Sequence, residues 1–118
     1  DGKYREAPQV LREKQISLLQ EIKWICRKHD TDVKIIISPD YLQVNINHAD
    51  VKTLKRFFGK RNVFDFTGIN EYTEDIHNYY EPGHYRPALG KRLMEKIYEP
   101  YILSPKARSP ASPSPGTI

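Results

Sequence analysis

Apolar side chains in the first third of the chain recur at helical spacing. Leu11, Leu18, Leu19, Ile22, Ile25 and Cys26 trace one face of a helix that Pro8 can open and that ends near His29. The stripe predicts a buried face, with Cys26 a small core residue on it. Asp30, Thr31 and Asp32 then lead into residues 33–37, whose run of β-branched side chains reads as a strand covered on both faces and closed by Pro39. Leu42, Val44 and Ile46 alternate over a short extended piece at 41–46.

A second helix carries its own start and stop signals. Asn47 can accept from the first free backbone N–H groups, Asp50 falls in the first turn, and Val51, Leu54, Phe57 and Phe58 form the apolar stripe before Gly59. Residues 62–66 read as another short buried strand, and 70–83 as a polar, tyrosine-rich loop. A closing helix from Pro87 to Tyr98 places Leu89, Leu93, Met94 and Ile97 at helical spacing. Helix, strand, helix, strand with short connections predicts an α/β fold, a parallel sheet flanked by helices, over residues 9–101. Residues 1–8 read as a frayed start and 102–118 as a disordered tail rich in proline and serine.

Composition narrows this picture only slightly. The chain has 118 residues, 38% of them hydrophobic, which suits one small globular unit or part of one. A single cysteine excludes an internal disulfide. No stretch approaches the roughly 20 apolar residues of a membrane span, and the start lacks the apolar core of a signal peptide. The net charge of +4 mildly favours anionic partners. Lys52, Lys55, Arg56, Lys60 and Arg61 gather on and after the second helix, but Phe57 and Phe58 belong to its apolar stripe. Buried phenylalanines would leave only a solvated basic face, so nucleic acid is not an expected partner.

The segment with the clearest chemistry is Asn78-Tyr79-Tyr80-Glu81-Pro82-Gly83-His84-Tyr85-Arg86-Pro87. Pro82 and Gly83 force a bend, so the Glu81 carboxylate can reach one imidazole nitrogen of His84 and leave the other free to accept a proton. Asp75 is a second acid able to bend toward the same ring. Asp75, His77, Glu81 and His84 match no helical metal-ligand spacing, and no cysteine joins them, so neither a metal nor another cofactor is expected. Tyr80 and Tyr85, with Tyr72 and Tyr79, crowd this turn, where they can either form a platform for a sugar or cover the sheet edge. Ser38 follows the first strand and is the one internal candidate for a nucleophile. Pro39 beside it supplies no backbone donor for an oxyanion hole.

The acid, two spacers and histidine before the last helix resemble the carboxyl-terminal block of the SGNH (GDSL-like) hydrolases. Residues 33–39 are similar to that fold's fourth strand, 62–66 to its fifth and 87–98 to its final helix. The resemblance implies a flavodoxin-like parallel sheet, His84 as general base and Glu81 as its orienting acid, with Glu81 standing where the family usually has Asp. Nothing in the chain matches the Gly-Asp-Ser block that carries the nucleophile, or the Gly-x-Asn-Asp block of the oxyanion hole. The chain therefore resembles the second half of such a hydrolase. The implied activity is hydrolysis or transfer of an ester-linked acyl group, such as an acetyl on a saccharide. The implied partners are a small-molecule or saccharide ester and either another copy or a chain supplying the missing strands. The competing expectation is a noncatalytic α/β module that binds a polymer or a protein.

Overall fold

The computed structural model of the protein describes residues 3–99. Helix α1 (Glu13–Lys28) leads to strand β1 (Ile35–Ile37), helix α2 (His48–Phe58) and strand β2 (Val63–Asp65). A hairpin of β3 (Tyr79–Glu81) and β4 (His84–Tyr85) precedes helix α3 (Pro87–Ile97). Strands β1 and β2 pair in parallel, Ile35 opposite Val63, Ile36 opposite Phe64 and Ile37 opposite Asp65, and Phe66 N–H extends the ladder to Ile37 O at 3.0 Å. The protein is thus a small α/β unit with a two-stranded parallel sheet joined by a crossover helix.

The two strand faces are covered differently. Paired residues in register share a face, so Ile36 and Phe64 lie on the α3 side. There Leu89, Leu93 and Ile97 are buried as their spacing predicts, with Phe66 against them and Phe64, Tyr72 and Tyr85 packed at the margin. Met94, on the same helical pattern, is 44% exposed. Gly90 lets this packing close. A Cβ there would stand 3.3 Å from the Tyr85 ring, so the missing side chain gives that ring a place on α3. The opposite face meets α2, whose Leu54 is buried along with Val63.

Helix α2 begins and ends as its sequence signals. Asn47 Oδ1 accepts from Ala49 N–H at 2.9 Å, and Gly59, at φ 89°, carries the chain out of the helix. Asp50 is fully buried, and its carboxylate accepts from Val10 N–H at 2.8 Å and Leu11 N–H at 3.1 Å. The acid read from sequence as a first-turn signal of α2 therefore also fastens the approach to α1.

The start of the chain differs from the frayed segment expected over residues 1–8. Glu6 forms a parallel bridge with Asn45, through Ala7 N–H to Asn45 O at 2.8 Å and Asn45 N–H to Arg5 O at 2.7 Å. The Glu6 carboxylate accepts from Tyr4 Oη–H and His48 N–H and lies 3.0 Å from His48 Nδ1. Residues 3–8 are ordered because their backbone and acidic groups have specific partners. The extended piece expected at 41–46 reduces to that one bridge. The tail expected at 102–118 lies outside the described residues.

Helix α1 departs most from expectation. It ends tidily, with Asp30 at φ 53° and Thr31 N–H donating to Cys26 O at 2.8 Å, the 6→1 bond of a Schellman turn. Yet none of its residues is buried. At 100° per residue the apolar positions split into two faces. Leu19 and Cys26 turn inward toward α2, whereas Leu18, Ile22 and Ile25 stand on the other flank, about half exposed. Strand β1 likewise has no strand partner on its outer edge among the described residues.

Two measurements check this account. Asp50→Ala should lower the stability by roughly 2–3 kcal/mol, because two backbone donors lose their acceptor. Urea unfolding would read the loss, and Asp50→Asn, which keeps one carbonyl oxygen, should cost less. The open β1 edge and the Leu18, Ile22 and Ile25 flank favour association. Sedimentation of the 118-residue chain should show a rise in mass with concentration, and a monomer throughout a wide range would count against it.

Candidate functional site

Loops leaving the carboxyl ends of β1 and β2 converge on the β3–β4 hairpin. Tyr41 N–H, four residues past β1, donates to Pro82 O at 2.9 Å, and Ile46 N–H donates to Thr67 Oγ1 at 3.0 Å. Gln43 Nε2 reaches Thr73 O at 3.0 Å, while buried Thr73 donates its hydroxyl to Gly68 O at 2.6 Å. In open α/β sheets this end gathers binding and catalytic groups. The hairpin itself occupies part of the segment read from sequence as loop. Its two strands are short and their register is irregular between Tyr79 and Glu81.

Pleating sends the hairpin's tyrosines to different places. Tyr79 is 4% exposed, and its hydroxyl donates to Tyr72 O at 2.6 Å. Burial, reinforced by Asp40 and Tyr85, pushes its pKa from 10.0 up to about 12. Tyr85 packs into the α3 core, so of the two tyrosines expected at a substrate platform only Tyr80 faces outward, 64% exposed. The Arg86 guanidinium lies 4.3 Å from the centre of its ring.

At the turn, Glu81 Oε1 lies 2.5 Å from His84 Nδ1. A neutral imidazole that donates Nδ1–H to Glu81 presents Nε2 as an acceptor, and Nε2 has no hydrogen-bond partner among the described residues. Both side chains are exposed, His84 by 74% and Glu81 by 64%, so water screens the pair as it stands. Asp75 is occupied elsewhere. Its carboxylate accepts from His77 N–H at 2.9 Å and meets His77 Nδ1 at 3.0 Å, and these two hydrogen bonds, the backbone one foremost, hold its carboxyl below the usual range. Of the two acids the sequence offered to His84, the geometry supplies Glu81.

Ser38 is exposed just past β1, and no hydrogen bond joins it to His84. No group of three or more His, Cys, Asp or Glu side chains among the described residues could hold a metal ion. Sequence reasoning missed Asp40 and Arg86. Asp40 Oδ2 stands 3.6 Å from where a Cβ on Gly83 would be, which sets a second carboxylate beside the turn. The signal for Asp40 lay in its place after Pro39, where its Oδ1 accepts from Leu42 N–H at 2.8 Å and bends the loop toward Pro82.

No protein-family model, curated protein or solved structure matches this chain. Among the described residues no helix is long and apolar enough to cross a membrane.

The buried Tyr79 hydroxyl gives a pH prediction. Its folded pKa lies above the unfolded value, so the stability it contributes is fully present below pH 10 and is lost as pH rises through about 12. Tyr79→Phe should therefore flatten the fall in stability between those values, as read by denaturant titration at stepped pH.

Proposed function

We propose that this chain is the carboxyl-terminal half of an SGNH-like ester hydrolase or acyltransferase of flavodoxin-like architecture, with His84 as general base and Glu81 as its orienting acid. The observation that carries this reading is the 2.5 Å contact between Glu81 Oε1 and His84 Nδ1 at the carboxyl end of a parallel sheet. A carboxylate on Nδ1 fixes the tautomer in which Nε2 accepts, as removal of a proton from an attacking hydroxyl requires. The hydroxyl would come from a serine on the missing half. His84 would take its proton as the serine oxygen adds to the ester carbonyl, then return it to the departing alcohol oxygen. Water or an acceptor hydroxyl would release the acyl group by the same transfer in reverse.

Tyr80 and Arg86 suit the substrate side of this reading. The outward ring offers an apolar face to a sugar, and the guanidinium beside it offers donors to hydroxyl or carbonyl oxygens. The second reading, a noncatalytic binding module, draws support from Ser38, which lacks any hydrogen bond to His84.

Turnover of simple acyl esters tests the two. The isolated chain should be no faster than imidazole at the same concentration. With the upstream half supplied, His84→Ala should lower the rate by on the order of a hundredfold to ten-thousandfold. Glu81→Gln should cost a comparable factor, because Asp75 is held by His77. Undiminished turnover in His84→Ala would exclude the mechanism, and brisk turnover by the isolated chain would assign the nucleophile to Ser38.

A further inference from the structure

The contact between Glu81 and His84 is carried by a hairpin with little means of holding its own shape. Strand β4 has two residues, the register slips between Tyr79 and Glu81, and Pro82 brings no N–H to the turn. Without packing against another element, a two-stranded hairpin in water is marginal at best. Tyr79 and Tyr85 anchor its base in the interior, but the tip, residues 81–84, is exposed. Support for the tip comes from the loop after β1.

That loop is built around Asp40. Pro39 before it is fully buried and fixes where the chain leaves the sheet. Asp40 then closes a turn twice, its Oδ1 accepting from Leu42 N–H at 2.8 Å and its backbone carbonyl from Gln43 N–H at 2.9 Å. Gln43 completes the reversal at φ 61°, a left-handed conformation that costs a residue other than glycine some strain. Its side-chain amide holds it there by donating to Thr73 O at 3.0 Å. The turn leaves Tyr41 N–H outside its own hydrogen bonds and aimed at Pro82 O, 2.9 Å away. The Tyr41 and Tyr79 rings meet with centres 5.7 Å apart, and Asp40 Oδ2 lies 3.6 Å from where a Cβ on Gly83 would be.

Taking His84 as the general base proposed above, we infer that Asp40 is its positioning residue: by fixing the turn at residues 40–43 it directs Tyr41 N–H to Pro82 O and so holds the bend that sets Glu81 on His84 Nδ1. Asp40 acts through the hydrogen bond it accepts and not through its charge. An amide of the same length can therefore replace it. A carboxylate one carbon longer cannot, because its oxygen no longer closes the same ring to Leu42 N–H.

The tautomer of the His84 ring reports the contact without any substrate. A carboxylate on Nδ1 keeps the proton there, and its loss lets the proton move to Nε2. Ring-nitrogen NMR shifts of the 118-residue chain, recorded at mildly alkaline pH where imidazole is neutral, should show His84 protonated on Nδ1. Asp40→Ala and Asp40→Glu should each move the ratio toward Nε2 by on the order of fivefold, the factor that goes with one ordinary hydrogen bond. Asp40→Asn should keep the wild-type ratio. His77, whose Nδ1 meets Asp75 at 3.0 Å, is the internal control and should stay unchanged in all three variants. The loop lies apart from the buried Leu54 and Leu93, so the variants should keep the wild-type circular dichroism. The Asn and Glu variants decide the outcome even where Asp40→Ala does not fold. A wild-type His84 protonated on Nε2, a ratio unmoved by Asp40→Glu, a shift in Asp40→Asn equal to that in Asp40→Glu, or a matching shift at His77 would overturn the inference. No turnover enters the measurement, so its failure is distinct from failure of the hydrolase reading, which the rate of His84→Ala tests.

Discussion

The buried carboxylate of Asp50 sets the geometry of the rest. It takes both Val10 and Leu11 N–H groups, while Asn45 exchanges backbone hydrogen bonds with Arg5 and Ala7 just upstream. The chain before α1 is therefore fixed to the start of α2. Because α1 and α2 set out from that common place and run along each other, both deliver their following strands from the same end. Parallel pairing of Ile35–Ile37 with Val63–Asp65 follows from this shared origin. A charge this deeply buried costs free energy unless its acceptor capacity is used, which makes the contact specific as well as strong.

That arrangement gives the molecule two unlike ends. At the carboxyl end, short loops are tied together by Gln43, Thr67 and Thr73, and they support the hairpin that holds Glu81 against His84. At the amino end, two helices finish side by side with Lys23, Arg27 and Lys28 around Trp24 and Phe57. Catalysis on the proposed reading uses the first end, where hydrogen bonds fix side-chain direction.

Much of the fold was legible because it is encoded locally. Asn47 and Gly59 bracket α2 through hydrogen bonds and backbone angles within a few residues, and Leu89, Leu93 and Ile97 share one face whatever lies opposite. The α1 stripe was not legible in the same way. Periodicity placed Leu18, Leu19, Ile22, Ile25 and Cys26 together, but only the neighbouring element decides which part is covered, and α2 takes the Leu19 and Cys26 side. The β3–β4 hairpin is too short for its alternation, Tyr79 inward and Tyr80 outward, to stand above the surrounding polar sequence. Spacing allowed both Glu81 and Asp75 to reach His84. The turn at Ile76–Asn78 settled the geometry by engaging Asp75 with His77.

The exposure of the His84–Glu81 pair bears on what a complete site requires. An imidazole and a carboxylate in water interact weakly, since solvent competes for the hydrogen bond and screens the charge that develops on proton transfer. Displacing that water strengthens the same contact without moving either group. Strand β1 has a parallel deficit, because Ile36 is 36% exposed and its outer edge is unpaired among the described residues. The hairpin is tied to the loop that follows this strand through Tyr41 and Pro82. A parallel strand added along β1 would bury Ile36 and bring its own carboxyl end beside that loop, where the proposed reading requires a nucleophile for His84. On the proposed reading, completion of the sheet and assembly of the active site are therefore one event, driven largely by the apolar surface that β1 and α1 leave open.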